Sequence, residues 1–339
     1  MSSRTLGCIA LALSLAQAPT PTAAQCAPDG VVRFVCGIPG PEDLFAIPGT
    51  RWVIASSRVS DDDGSLVVVD TRDLGTMTIF PTAVLYPELD RRTYGACPGP
   101  VVGTFQPHGV ALREGTGGTH TLYVVAHGRR EAVEVFSLDA TGAAPSLTWI
   151  GCVVAPEGVS LNSVTPVPGG GLVVTNFNVA GGELWEWSPT GGWSEVPGSR
   201  MSGPNGVVSS PDGRWLYVGG WGEEALVRIS RLQDPVQRDQ VAVGFHIDNV
   251  RWAPDGSLFA AGQYGASGAS IGGCLNGGAC EGVASRVARV DPGSLEARQL
   301  VDYPSNPLFP FGTAAIAVGD EIWFGGIGGG TRIARFPRP

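Results

Sequence analysis

The sequence predicts an all-β fold, a six-bladed β-propeller, and three observations carry that prediction. The first is a repeat: a polar residue, an apolar strand, a Pro/Gly/Asp turn and a second apolar strand recur six times, over Leu44–Ser57, Gly109–His127, Ser163–Phe177, Gly206–Trp221, Asn249–Gln263 and Ala314–Ile327. The second is spacing. The copies begin at residues 44, 109, 163, 206, 249 and 314, so neighbours start 43 to 65 residues apart, room for the four short strands of one blade. The third is composition: 50 glycines in 339 residues, with only 16% charged residues, favour many tight turns over long solvated helices.

Taken in chain order, residues 1–24 read as a secretory signal, with Arg4 ahead of the apolar run Leu6–Ala18 and small residues before Gln25. No later segment reaches about 18 uninterrupted apolar residues, so no spanning helix is expected, and the protein is expected to be secreted or periplasmic. The propeller then occupies residues 25–339. Val31–Val35 precedes the first copy and is placed to close the ring against the last blade. The hairpins are plainest at 207–218 and 250–261, where Pro-Asp-Gly separates two apolar strands. Ser65–Val69, Ala132–Phe136, Glu183–Trp187 and Ala225–Ile229 fall between copies and supply outer strands. Beyond Cys8 in the signal there are six cysteines, Cys26, Cys36, Cys97, Cys152, Cys274 and Cys280, an even number suited to an oxidising compartment. Cys274 and Cys280 bracket a short glycine-rich stretch and are expected to pair, while the other four allow three pairings. No C-x-x-C or nearby histidine pair suggests zinc.

All 22 basic residues are arginine, which excludes chemistry that needs a lysine amine, from Schiff bases to the P-loop clamp. The net charge is −9 and no stretch clusters arginine into a stripe, so nucleic acid is not expected as a partner. Gly268-Ala269-Ser270-Ile271-Gly272 fits a G-x-S-x-G pattern but reads as a glycine-rich loop, with no following helix to form a nucleophile elbow. Asp61-Asp62-Asp63-Gly64 reads as an exposed acidic hairpin turn. Gly325–Gly330 lacks the lysine and the βαβ unit of a phosphate loop.

Counting back six positions from the turn of each copy gives a second column: Glu42 before Pro48, His108 before Glu114, Asn162 before Pro168, Asn205 before Pro211 and Asp248 before Pro254. All five are polar. Inner strands of a propeller start at one end of the central channel, so these residues are expected to converge on its axis. Carboxylates and amide carbonyls suit calcium, which accepts six to eight flexible oxygen ligands. Asparagine and aspartate also favour turns and strand ends, but five blades agree in both register and donor type.

The residues around the column resemble the paraoxonase family of six-bladed, calcium-dependent lactonases and arylesterases, over nearly the whole chain after the signal. Gly40-Pro41-Glu42-Asp43-Leu44 is similar to the family's first metal motif, Pro107-His108-Gly109-Val110 to its catalytic histidine motif, Leu161-Asn162 and Pro204-Asn205-Gly206 to its two asparagine ligands, and Ile247-Asp248-Asn249 to its Asp-Asn doublet. The resemblance implies one catalytic calcium held by Glu42, Asn162, Asn205, Asp248 and Asn249. Regucalcin and gluconolactonase, in the wider superfamily, lack the histidine motif and usually the second residue of the doublet, so His108 and Asn249 favour the paraoxonase side. The family's second, structural calcium uses an aspartate after the blade-three asparagine. Ser163 stands there, although Asp43 and the Val110 carbonyl match the other positions.

A calcium ion with an open coordination position polarises an ester carbonyl, and a base is still required. His108 is the expected base, and His127 resembles the family's second histidine, which orients it or relays its proton. Asp248 or another carboxylate is the alternative base. The expected substrate is a small-molecule lactone or ester, and Trp221, Gln263–Glu281 and Tyr303–Phe311 are the expected substrate loops. Two rival readings stand beside this one: a sugar lactonase of the gluconolactonase type, and a non-catalytic propeller that uses calcium as a plug and binds a partner on one face.

Overall fold

The computed structural model describes residues 26–59, 63–82 and 87–339. The secretory signal expected at residues 1–24 lies outside the described residues, as do Asp61 and Asp62. Strand β1 (Arg33–Cys36) comes first. Blade one follows as β2 (Pro41–Ala46), β3 (Trp52–Ser57), β4 (Ser65–Asp70) and β5 (Thr76–Phe80). A short helix, α1 (Arg91–Tyr94), leads to blade two, which is β6 (Phe105–Arg113), β7 (Thr119–Gly128), β8 (Ala132–Asp139) and β9 (Ser146–Val154), and blade three is β10 (Leu161–Pro166), β11 (Leu172–Asn176), β12 (Glu183–Ser188) and β13 (Gly192–Glu195). Blade four is β14 (Pro204–Ser209), β15 (Trp215–Gly220), β16 (Ala225–Ser230) and β17 (Arg238–Ala242), and blade five is β18 (His246–Trp252), β19 (Leu258–Tyr264), β20 (Ala284–Val290) and β21 (Ala297–Pro304). Blade six has β22 (Phe311–Val318), β23 (Glu321–Ile327) and β24 (Arg332–Pro337).

Each blade is a four-stranded antiparallel sheet, and blade six takes its fourth strand from the other end of the chain. Strand β1 pairs with β24, Phe34 opposite Ala334 and Cys36 opposite Arg332, so the ring is closed by backbone hydrogen bonds. The closure is also apolar: Val35, Ile38, Leu44, Val53 and Val69 pack with Ile316, Trp323 and Ile333 across the junction of blades one and six. Each such side chain taken fully from water contributes about 1.5 to 3 kcal/mol. The four segments read as outer strands are the third strands of blades one to four.

The cysteines pair as Cys26–Cys36, Cys97–Cys152 and Cys274–Cys280, so the expected short loop is closed and the open question among the other four is settled. Among the described residues no helix is long and apolar enough to cross a membrane. Two sequence expectations change. Gly268–Leu275 is a helix (α2), not a loop, because Ser267 and Ser270 form a reciprocal capping box that satisfies its first amides despite three glycines. Ser270 spends its hydroxyl on the Ser267 backbone, as donor to the carbonyl at 2.7 Å, so it is a cap and no nucleophile. Asp63-Gly64 is no free hairpin turn: Asp63 accepts from the Phe105 amide at 3.1 Å and Gly64 donates to the Phe105 carbonyl, tying blade one to blade two.

Candidate functional site

The first strand of every blade is bulged, and every bulge falls on the column. Regular pairing breaks between Pro41 and Asp43, Pro107 and Val110, Leu161 and Val164, Pro204 and Val207, Ile247 and Asn249, and Gly312 and Ala314. The residues caught in the breaks include Glu42, His108, Asn162, Asn205, Asp248 and Thr313. An extra residue in one strand of a pair re-aims its side chain out of the alternation of the sheet, here toward the channel. The chain approaches itself closely at this level: a Cβ on Gly109 would lie 2.6 Å from the Asn162 carbonyl oxygen, and one on Gly206 would lie 2.5 Å from the Asn249 Cα. Glycine after the column residue therefore lets neighbouring inner strands meet.

Glu42, His108, His127, Asn162, Asn205 and Asp248 line one cavity of about 480 Å³. Asn249 sits behind it, buried, and donates from Nδ2 to Glu42 Oε1 at 3.0 Å. Asp248 Oδ2 accepts from Gln263 Nε2 at 2.7 Å, and the Thr313 hydroxyl donates to the Glu42 carbonyl at 2.5 Å. Among the described residues, four buried side-chain oxygens of the column and its doublet have no hydrogen-bond partner: Glu42 Oε2, Asn162 Oδ1, Asn205 Oδ1 and Asn249 Oδ1. An unpaired buried acceptor costs about 1 to 3 kcal/mol, and four beside one another ask for a shared partner. Burial, then Asp43 and Asp248, pushes the Glu42 carboxyl well up, and burial pushes Asp248 up to about 7. Oxygen donors with two carboxylates fit a hard cation. Among the described residues no group of three or more histidines, cysteines or carboxylates is arranged to hold a metal, so a cation here would depend on the amides.

The two histidines are in contact, with His108 Nδ1 2.9 Å from His127 Nε2. His127 Nδ1 lies 2.8 Å from Glu131 Oε2, and Glu131 Oε1 accepts from the Leu161 amide at 2.5 Å. This chain of contacts fixes the protons. A carboxylate only accepts, so His127 carries its hydrogen on Nδ1 and accepts at Nε2, and His108 then donates from Nδ1 and keeps the lone pair on Nε2. That nitrogen lies 3.5 Å from Glu42 Oε1. Burial, then Arg58 and His127, holds the His108 pKa well below the ordinary imidazole value, so the ring is neutral and able to take a proton.

A second ring surrounds the first. One residue beyond the strand partner of Pro41, Pro107, Leu161, Pro204, Ile247 and Gly312 stand Arg58, His127, Phe177, Trp221, Gln263 and Ile327, and all six line the cavity. Phe177 and Trp221 meet edge to face at 6.2 Å, and Trp221 Nε1 donates to Gln263 Oε1. Helix α2 roofs the apolar side with Ile271 and Leu275, and Phe311 completes it. Two of the three expected substrate loops are therefore in place around Trp221 and Gln263–Glu281, with Phe311 the contribution of the third. Sequence reasoning missed Thr313, Glu131, Arg58, Phe177, Val179 and Ile327. Counting back six from the sixth turn, at Gly319, would have found Thr313.

The positions matching a second ion are otherwise engaged. The buried Arg251 guanidinium bonds the Asp43 carboxylate through Nη2, and the same nitrogen donates to the Val110 carbonyl at 2.9 Å. Asp43 Oδ2 also accepts from the Val110 amide, and Ser163 Oγ accepts from the Val207 amide at 3.2 Å. The donors do not fit a second calcium because an arginine fork already supplies the positive charge between them. Arg251→Met should therefore destabilise the protein by about 3 kcal/mol in chemical unfolding, since it strands a buried carboxylate. A calcium titration of the unaltered protein by calorimetry should find one site, and a second would mean that Arg251 swings out.

No protein-family model matches the sequence, and no curated protein matches it. Solved structures match its fold. A luciferin-regenerating enzyme is 12% identical over 90% of this chain and 94% of its own, with a TM-score of 0.54. A candidate gluconolactonase is 16% identical over 94% of this chain and 96% of its own, at 0.52. A catalytically inactive virginiamycin B lyase from Staphylococcus aureus, solved with quinupristin, is 12% identical over 90% and 98%, at 0.51. At these identities the likeness is one of fold, and the chain shares with them the six-bladed propeller.

Proposed function

We propose that this protein is an exported, calcium-dependent hydrolase of lactones or activated aryl esters, of the paraoxonase-like kind. One observation carries the reading: the buried, unpartnered oxygens of Glu42, Asn162, Asn205 and Asn249 stand in and behind a largely apolar cavity that also holds the His108–His127 contact. Glu42, Asn162, Asn205, Asp248 and Asn249 would hold the ion, Asn249 through Oδ1 while its Nδ2 donates to the Glu42 carboxylate. A calcium ion bound there would polarise the acyl carbonyl and stabilise the negative charge that develops on its oxygen.

The remaining steps belong to the chain. His108 Nε2 takes the proton of the attacking water as the new carbon–oxygen bond forms, and His127 accepts the His108 Nδ1 hydrogen bond while the charge develops. Glu131 holds His127 in the required tautomer. Collapse breaks the acyl–oxygen bond, the alcohol or phenol oxygen takes the proton from His108 Nε2 (remaining tethered when the substrate is a lactone), and the carboxylic acid formed releases its remaining proton to solvent to give the carboxylate. Phe177, Trp221, Ile271, Leu275 and Phe311 exclude water and suit an apolar group, which favours aliphatic lactones or aryl esters over polar aldonolactones. The three disulfides support export, together with the signal read at residues 1–24. A screen of aliphatic lactones, aryl esters and aldonolactones with and without chelator tests the reading. Hydrolysis lost on chelation and restored by calcium supports it, and full activity in chelator overturns it.

A further inference from the structure

The second ring carries the inference. Five of its six members have a partner or an apolar role: His127 holds His108, Gln263 holds Asp248, and Phe177, Trp221 and Ile327 are wall. Arg58 is the exception. It is partly buried, lines the cavity from the end of β3, and among the described residues its guanidinium has no hydrogen bond or ion pair, whereas other arginines at blade ends are paired, such as Arg231 with Glu186. In the ring it stands between His127 of blade two and Ile327 of blade six, across from Trp221 of blade four. A partly desolvated guanidinium with its fork unused is a ready site for a planar anion.

The charges of the cavity agree. Glu42 and Asp248 contribute two negative charges, which a divalent cation cancels, and Arg58 is then the uncompensated charge. We propose that Arg58 is the specificity residue of this pocket and that its substrates carry a carboxylate at the end of an apolar acyl chain. The chain lies along Ile327, Phe311 and Leu275 on the Arg58 side of the cavity, and the carboxylate is held by the guanidinium while the ester carbonyl faces His108. This rests on the hydrolase reading for its kinetic arm only, because carboxylate binding is measured without turnover.

A matched pair tests it: phenyl hexanoate and the monophenyl ester of adipic acid, which differ by a terminal methyl against a carboxylate. The unaltered, calcium-loaded protein should show a kcat/KM at least tenfold higher on the charged ester, through KM. Arg58→Gln should lower that preference by roughly 10- to 100-fold, the range for a charge-assisted pair, and Arg58→Lys should keep part of it. In parallel, hexanoate should bind the unaltered protein at least tenfold more tightly than it binds the glutamine variant by calorimetry, with hexanamide indifferent to the change. A preference for the neutral ester, or equal hexanoate binding by the two proteins, overturns the proposal. If neither ester is turned over, the hydrolase reading falls and the hexanoate comparison still decides the role of Arg58. Should Arg58→Gln fail to fold, the charged-against-neutral ratio and the hexanoate-against-hexanamide ratio of the unaltered protein decide it.

Discussion

His108→Gln should lower kcat on the best lactone or aryl ester by roughly 10² to 10⁴, the loss typical of a general base, while calcium affinity stays within about twofold. The two effects separate because His108 moves a proton, whereas the ion's proposed ligands are oxygens of Glu42, Asn162, Asn205, Asp248 and Asn249. Glutamine keeps a polar side chain of similar reach but cannot take a proton. The pH profile is a second readout. Burial, then Arg58 and His127, holds the His108 pKa well below 6.5, and a nearby cation would push it further down. At saturating calcium the acid limb of kcat/KM should therefore lie below the ordinary imidazole range. Steady-state kinetics across pH and a calorimetric calcium titration of both proteins check this. Wild-type turnover in the glutamine variant would move the base to Asp248 or another carboxylate.

The column was legible because bulge and turn lie six positions apart in each blade, so a register invisible in any single blade shows once the copies are stacked. The sixth member escaped because Thr313 is a weaker signal than a carboxylate, amide or imidazole. The second ring was almost legible. Five copies of the repeat already ended on His127, Phe177, Trp221, Gln263 and Ile327, but the first ended at Ser57, one residue short of Arg58. Glu131 and Arg251 could not be found by period. Glu131 acts from the loop between β7 and β8, outside the repeat, on His127 and on the next blade's Leu161 amide, and Arg251 reaches Asp43 from 208 residues away, a contact that depends on closure of the ring. The pairings Cys26–Cys36 and Cys97–Cys152 were hidden because cysteine spacing alone does not choose among three connectivities, and α2 was hidden because a capping box outweighed the helix-breaking cost of its glycines.

Chelated protein should lose stability as pH rises, and calcium should reverse the trend. Burial raises Asp248 to about 7 and lifts Glu42 well above its ordinary value, whereas unfolded carboxyls titrate near 4. Between roughly pH 4 and 7 the metal-free folded state thus holds more protons than the unfolded chain, and stability falls with rising pH across that window, by a few kcal/mol for shifts of this size. The sign follows from a raised folded-state pKa: the stabilising proton is fully present below the unfolded value and lost on passing the folded one. Calcium competes with those protons. It should bind more tightly as pH rises, releasing protons as it does so, and at about 1,000 times its Kd it should add about 4 kcal/mol. The gap in melting temperature between loaded and chelated protein should therefore widen from pH 5 to pH 8, reaching about 5 to 10 °C. Scanning calorimetry at four pH values measures the gap, and titrations in buffers of different ionisation enthalpy count the protons. A chelator that leaves Tm unchanged at pH 8 would show that Glu42 and Asp248 hold no ion, and their burial would then need another cation, of which Arg58 is the nearest in the cavity.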